Sequence, residues 1–292
     1  MVQWTNDILK QIKTFSNLIE VENFVQDVIL QFKDGNISKE DIKRILNEFG
    51  EDYFKNSMQG YAYAKPYGYA GDFKMIDMMY TYHTTDDPRY AIWDEYFHTH
   101  AAPQAVRNRK TYFKNFLAQK ATSQNNIELL NVASGPARDL FEFYNENKNT
   151  TVNTTCVEMD PQAVVYAKAL NEAHLNKIDF ITANIFKFSS AKQFDTIWSA
   201  GLFDYFDDKA FRLILKKMQR WIKPGGEIII GNFNQDHNPS RDYMEIFGDW
   251  YLHHRTEEQL IDLAVQAGFD KQRVWVGQED ERVNLFLHIG AE

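Results

Sequence analysis

The stretch from Ile127 to Leu140, IELLNVASGPARDL, decides how this chain is read. An apolar run of strand character stops at Ala133, Ser134, Gly135 and Ala137, and Arg138-Asp139 then opens a second apolar run. Side chains this small leave the backbone amides between the two elements uncovered. The helix that follows turns its positive N-terminal end into the same space. Such a loop suits a ligand lying close against its backbone.

The rest of the chain from Ile127 alternates. Strand-like runs are IELLNVA, TTCVEM, KIDFITA, FDTIWSA, GEIIIGNF, RVWVG and VNLFLHIG, with helical stretches such as PQAVVYAKALNEAH and DKAFRLILKKMQRWI between the first five. This rhythm predicts an α/β, Rossmann-like, doubly wound and mostly parallel seven-stranded sheet whose last two strands pair antiparallel. Ligands of such sheets sit at the carboxyl ends of the strands. Residues 1 to about 120 read helical instead: Phe24, Val25, Val28, Ile29 and Phe32 repeat at helical spacing, and Ser38 precedes a face of Ile42, Ile45, Leu46 and Phe49. The expected division is a helical lid or substrate region at 1–120 and a core at 121–292, with an acceptor-side insertion at about 232–256.

Composition removes several function classes. The 292 residues are 44% hydrophobic and 15% aromatic, enough for a substantial core. A formal charge of −9 with scattered Lys and Arg repels nucleic acid. The opening MVQWTNDILKQIK lacks a secretion signal's apolar stretch, and no run is long enough to span a bilayer, so a cytoplasmic protein without integral membrane association is expected. The single cysteine, Cys156, rules out an internal disulfide and reads as an inert core residue, and no zinc-ligand spacing exists.

Two classes of ligand use a loop of this kind, dinucleotides and S-adenosylmethionine. The second strand ends in Val157-Glu158-Met159-Asp160-Pro161, where an acid can accept hydrogen bonds from ribose hydroxyls of either ligand. The third ends in Ile181-Thr182-Ala183-Asn184-Ile185, where a polar side chain can meet an adenine amino group. Lys223-Pro224-Gly225-Gly226 reads as a tight turn announcing the fifth strand. In this order, from 127 to 292, the series resembles the class I S-adenosylmethionine-dependent methyltransferases. The first motif departs from that family: Asn131 stands for the usual acid, Ala133 and Ala137 stand for glycines, and Asn184 stands where Asp is usual. A nicotinamide site would need GxGxxG, and Ala133-Ser134-Gly135-Pro136-Ala137-Arg138 is a poor match.

The resemblance implies S-adenosylmethionine as cofactor, with contacts from Ala133, Ser134, Gly135, Glu158, Met159, Asn184 and Ile185. Ser199, Ala200 and Gly201 would form the floor under its methionine part. A narrower resemblance rests on KPYGYAGDFKMID, WSAGLFDYF and NPSRDYMEIFGDWYLHHRTEEQL, which look like bacterial methyltransferases that make 3-hydroxy fatty acid methyl esters. It implies a small-molecule acceptor with an apolar portion and a carboxylate.

Two passages keep two readings each. The Tyr/Gly segment with Tyr61, Tyr63, Tyr67 and Tyr69 is either a packed aromatic loop or a lid. In the lid, Tyr69 would face the sulfonium and Asp72 would receive the ammonium group, with bends at Gly68 and Gly71. The segment from Asn232 to Arg255 is either a polar surface helix or the acceptor-facing cap, followed by the capping box Thr256 to Gln259. As a cap, Arg241 would grip a carboxylate in a two-pronged pair, and Arg255, beside Thr256, would be structural. A hydroxyl or amine acceptor would instead want a base, for which His237, His253 and His254 are candidates. A protein that binds the cofactor without turnover is a further alternative.

Overall fold

The computed structural model describes residues 15–292, which fall into two compact units. Among the described residues, one comprises 15–104 and 239–251, the other 105–238 and 252–292.

The second unit is built on a seven-stranded sheet in the order β3-β2-β1-β4-β5-β7-β6. The strands are β1 (Glu128–Val132), β2 (Asn153–Glu158), β3 (Ile178–Thr182), β4 (Phe194–Ser199), β5 (Ile222–Phe233), β6 (Val274–Gln278) and β7 (Asn284–Gly290). The first five pair in parallel, and β7 runs antiparallel to both β5 and β6. This is the architecture expected from the alternating pattern. One local expectation is corrected. Lys223-Pro224-Gly225-Gly226 lies inside β5 rather than ahead of it. Gly225 takes φ 73° and the pairing register shifts between Phe194 and Thr196, which marks an irregularity within the ladder instead of a turn.

Side chains alternate across the sheet and are buried on both faces. Leu130, Ile197, Phe211 and Ile228 belong to one apolar cluster, while Leu129, Phe113, Trp198 and Ile229 belong to the other. Covering both faces is what a parallel sheet requires, and it explains why β4 is buried along its whole length. Near the carboxyl end, β4 and β5 pass so closely that a Cβ on Gly231 would stand 2.2 Å from the Ala200 carbonyl oxygen.

The other unit is helical. Its helices include Leu18–Lys33, Lys39–Glu48, Met58–Ala64, Phe73–Tyr80 and Ala91–Thr99. Ser38 and Asp41 form a capping box at the second of these. The core is aromatic: the Trp93 ring lies 5.1 Å from Phe49, 5.6 Å from Tyr53 and 6.2 Å from Phe24. Asp94 is buried there and accepts from the Met58 amide at 2.6 Å and the Thr85 amide at 2.7 Å; burial still raises its carboxyl above the usual range. The helix Arg241–Phe247 completes this unit, burying Tyr243, Met244, Ile246 and Phe247, and the Phe247 carbonyl accepts from Gln59 Nε2 at 2.8 Å. Thus 239–251 groups with the N-terminal helices, whereas the sequence reading attached 232–256 to the core. The dividing point also falls at 104/105, inside the helix Ala101–Ser123, rather than at 120. No helix among the described residues is long and apolar enough to cross a membrane.

Candidate active site

The loop after β1 alternates in handedness. Ala133, Gly135 and Ala137 have φ of 54°, 52° and 51°. Left-handed backbone costs a non-glycine residue roughly 1–2 kcal/mol, so the two alanines are held there by their surroundings. The Ala133 amide donates to the Val157 carbonyl at 2.7 Å and the Ala137 amide to that of Ser134 at 3.0 Å. A helix, Arg138–Glu146, then starts directly from Ala137. Strain of this kind concentrates at functional sites.

Glu158 ends β2 beside the loop. Its Oε2 accepts from the Gly135 amide at 2.9 Å, and its Oε1 accepts from the amides of Met159 at 2.7 Å and Asp160 at 2.9 Å. Three amides fix the carboxylate, and its oxygens have lone pairs for further donors. Asn184, just past β3, caps the turn after it by accepting from the Phe186 amide at 2.9 Å, and its Nδ2 lies 3.4 Å from Met159 Sδ. Ile185 is buried next to it. At the end of β4, Ser199 Oγ donates to the Val132 carbonyl at 3.1 Å, tying β4 to β1. Ala133, Ser134, Gly135, Glu158, Met159, Asn184, Ile185, Ser199, Ala200 and Gly201 therefore gather at the carboxyl ends of four adjacent strands.

Polar atoms beneath this edge suit a polar ligand. The Ser134 hydroxyl is buried beside the Cys156 thiol and has no oxygen or nitrogen partner among the described residues; nor has Nδ2 of the buried Asn131. Burial pushes the Cys156 thiol up and keeps it protonated. A Cβ on Gly135 would meet nothing within 4 Å.

Three further residues that sequence reasoning did not single out lie here. Arg109, on the helix Ala101–Ser123, is 5% exposed, and its Nη1 stands 2.9 Å from where a Cβ on Gly201 would be. Asp139 and Asp204 are equally buried and feel the Arg109 charge. Burial dominates both carboxyls: Asp139 is raised to about 6 and Asp204 to about 7. Asp204 Oδ1 accepts from the Phe233 amide at 2.7 Å. Asp139 lies within the stretch that opened the sequence reading, but nothing local in VRNRK or LFDYF joins Arg109 or Asp204 to it.

The remaining expected residues divide between the units. Arg255 is buried, bonded to Asp208, Asn232 and the carbonyls of Phe203 and Phe206. His237 is exposed in the loop after β5. His254 accepts at Nε2 from Asn238 Nδ2 at 3.0 Å while its Nδ1 faces the Leu252 carbonyl at 3.2 Å, which occupies its basic nitrogen. In the helical unit, Asp72 caps Phe73–Tyr80, accepting from the Lys74 and Met75 amides and from the Tyr61 hydroxyl. Tyr69 is exposed between Gly68 at φ 85° and Gly71 at φ 66°. Arg241 is the first residue of its helix, and its Nε donates to Glu245 at 2.7 Å.

A model of the methyltransferase domain matches residues 123–280, more than half of the chain. No curated protein matches by sequence. Among solved structures, one described as a possible exported protein from Bordetella parapertussis superposes with a TM-score of 0.67 at 16% identity, covering 88% of this chain and 98% of that one. Magnesium protoporphyrin IX methyltransferase from Synechocystis PCC 6803, solved with bound S-adenosylhomocysteine, gives 0.53 at 9% identity, covering 66% and 86%. At such identities the likeness is one of fold. With strands, loop and strand-end residues in this arrangement, the chain belongs to the methyltransferase-domain family, whose methyl donor is S-adenosylmethionine.

Proposed function

We propose that this small-molecule methyltransferase esterifies the carboxylate of an acyl chain. S-adenosylmethionine supplies the transferable methyl group from its sulfonium. In this reading Glu158 takes the ribose hydroxyls, Asn184 and Ile185 the adenine, and the 133–135 and 199–201 backbones the amino-acid end. The protein's work is to align the acceptor oxygen with the methyl carbon and to exclude water. A carboxylate has an ordinary pKa near 4, is charged and nucleophilic at neutral pH, and needs orientation without a base.

The observation that carries this reading is Arg241. Its Nε donates to Glu245 at the first turn of a helix that buries Tyr243, Met244, Ile246 and Phe247, and the side chain stays 45% exposed, so a permanent cation with a two-pronged fork is offered where a carboxylate can reach it. The second reading is a hydroxyl or amine acceptor deprotonated by His237, favoured by that imidazole's exposure just past β5.

A transfer assay with labelled donor over fatty acids, phenols and amines, read by mass spectrometry, separates them. Ester formation with turnover nearly flat from about pH 6.5 to 8.5 is expected, and Arg241→Lys should lower turnover because it loses the planar fork. An ether or methylamine product, or a rate that falls on acidification through a pKa near 6.5, would favour the histidine mechanism. Donor binding with no turnover on any acceptor would point to a sensor.

A further inference from the structure

We propose that Asn171 is a positioning residue that lets this chain carry an alanine at position 137, by clamping the loop after β1 in its left-handed form. The inference goes beyond the question of the acceptor and rests on the donor lying against that loop, as proposed above. Ala137 is the loop's weak point. Its φ is 51°, and left-handed backbone weighs against an alanine by a factor of roughly 5 to 30. It stands where a helix N-cap is usually extended and supplies a side-chain oxygen, and it has no such oxygen to give. The Ala137 amide is tied locally to the Ser134 carbonyl at 3.0 Å, and the Ala137 carbonyl accepts from the Phe141 amide at 3.0 Å.

Asn171 supplies a tie from outside. It ends the helix Pro161–Leu170 and is fully buried, and its Nδ2 donates to the Ala137 carbonyl at 3.2 Å and to the Ala167 carbonyl at 2.9 Å. Its own backbone is fixed: the Asn171 amide donates to the Ala167 carbonyl at 3.0 Å, and the Asn171 carbonyl accepts from the His174 amide at 2.8 Å. Two carbonyl acceptors decide which end of the carboxamide is nitrogen. The other end has no such return. Oδ1 is buried and has no hydrogen-bond partner among the described residues. A buried oxygen left unpaired costs free energy that an apolar side chain of the same shape avoids. The value of the carboxamide therefore lies in its nitrogen, and that nitrogen is on Ala137. Just ahead of the same helix, Glu158 holds the Gly135 amide. The loop is thus gripped at Gly135 from before this helix and at Ala137 from its end.

Removing the clamp should matter only while residue 137 is an alanine. Isothermal titration of the full chain with S-adenosylhomocysteine reads this as a double-mutant cycle over Asn171→Leu and Ala137→Gly. Leucine keeps the volume and removes the donor together with the unpaired oxygen, and glycine adopts left-handed backbone without strain. With Ala137 in place, Asn171→Leu should weaken binding by roughly 5- to 30-fold, because the competent loop becomes a minor population. In the Ala137→Gly background the same change should cost less than about twofold. A loss of equal size in both backgrounds, or no loss in either, overturns the proposal. If Asn171→Leu does not fold, recovery of a folded, binding chain on adding Ala137→Gly supports the clamp. Failure of that pair as well makes Asn171 a general folding residue and overturns it. A wild-type chain that binds no S-adenosylhomocysteine overturns the donor's placement on the loop, whereas a binding wild type without the rescue overturns this inference alone.

Discussion

The strand ends of the sheet unit and the aromatic core of the helical unit use opposite materials. At the strand ends, backbone does the holding: amides of Gly135, Met159 and Asp160 grip one carboxylate, and left-handed residues expose the loop. In the helical unit the rings of Phe24, Phe49 and Tyr53 each meet Trp93 edge to face, and side chains such as Asp94 and Gln59 tie helices together. Backbone sites are exacting about geometry and tolerant of side-chain identity, which is how Ala133 and Ala137 serve where the resembled family has glycine. Aromatic cores are exacting about volume.

The sharpest way to break this contrast is to add one methyl group. Gly231→Ala would put a Cβ 2.2 Å from the Ala200 carbonyl oxygen, and backbone there must move. A loss of roughly 3 kcal/mol is expected, read as a lower denaturation midpoint together with lost S-adenosylhomocysteine binding. Gly60→Ala, 2.3 Å from the Tyr53 carbonyl oxygen in the helical unit, should destabilise comparably while sparing binding of adenosine-type ligands. Equal loss of binding in the two variants would erase the distinction between units.

Next in size is Glu158→Ala, which removes the acceptor of three amides. Affinity for S-adenosylhomocysteine should fall by roughly 1–3 kcal/mol; calorimetry showing unchanged affinity in a folded variant would reject a ribose role.

Protonation gives a third measure. Asp204 is raised from 3.8 to about 7 by burial. Between those values the folded chain holds a proton that the unfolded chain has released, so its contribution to stability declines as pH rises through that window and levels off above it. Asp204→Asn should therefore gain on the wild type between pH 4 and 7, as measured by urea unfolding at several pH values. A constant difference across the window would mean the buried carboxyl titrates normally.

The smallest effect is expected at Asp72. As an N-cap it should cost about 1 kcal/mol on replacement by Ala, visible in the melting temperature. If turnover falls further than that loss explains, Asp72 also meets the cofactor; if turnover is normal, capping is its whole role.

Much of this was legible beforehand. Strand positions followed from alternation, and Glu158 and Asn184 from their place after apolar runs, because a parallel sheet turns regular spacing into a shared edge. Arg109 and Asp204 were not legible. They are separated by 95 positions in the chain, and only the packing of Ala101–Ser123 in the sheet unit brings them together. The grouping of 239–251 escaped for the same reason: its burial partners, such as Phe24 and Gln59, lie near the other end of the chain.

That grouping has a consequence for how the molecule is made. A ribosome delivers residues in order, and domains fold as they emerge, N-terminal first. Here the helical unit emerges early but cannot finish, because the helix carrying Tyr243 and Phe247 is encoded after β5. Until then the rings that meet it, Phe24 against Phe247 and Tyr96 against Tyr243, wait without their partners. The last-born third of the chain thus closes the first-born, and a nascent chain halted before residue 239 would display an aromatic surface that the completed protein conceals.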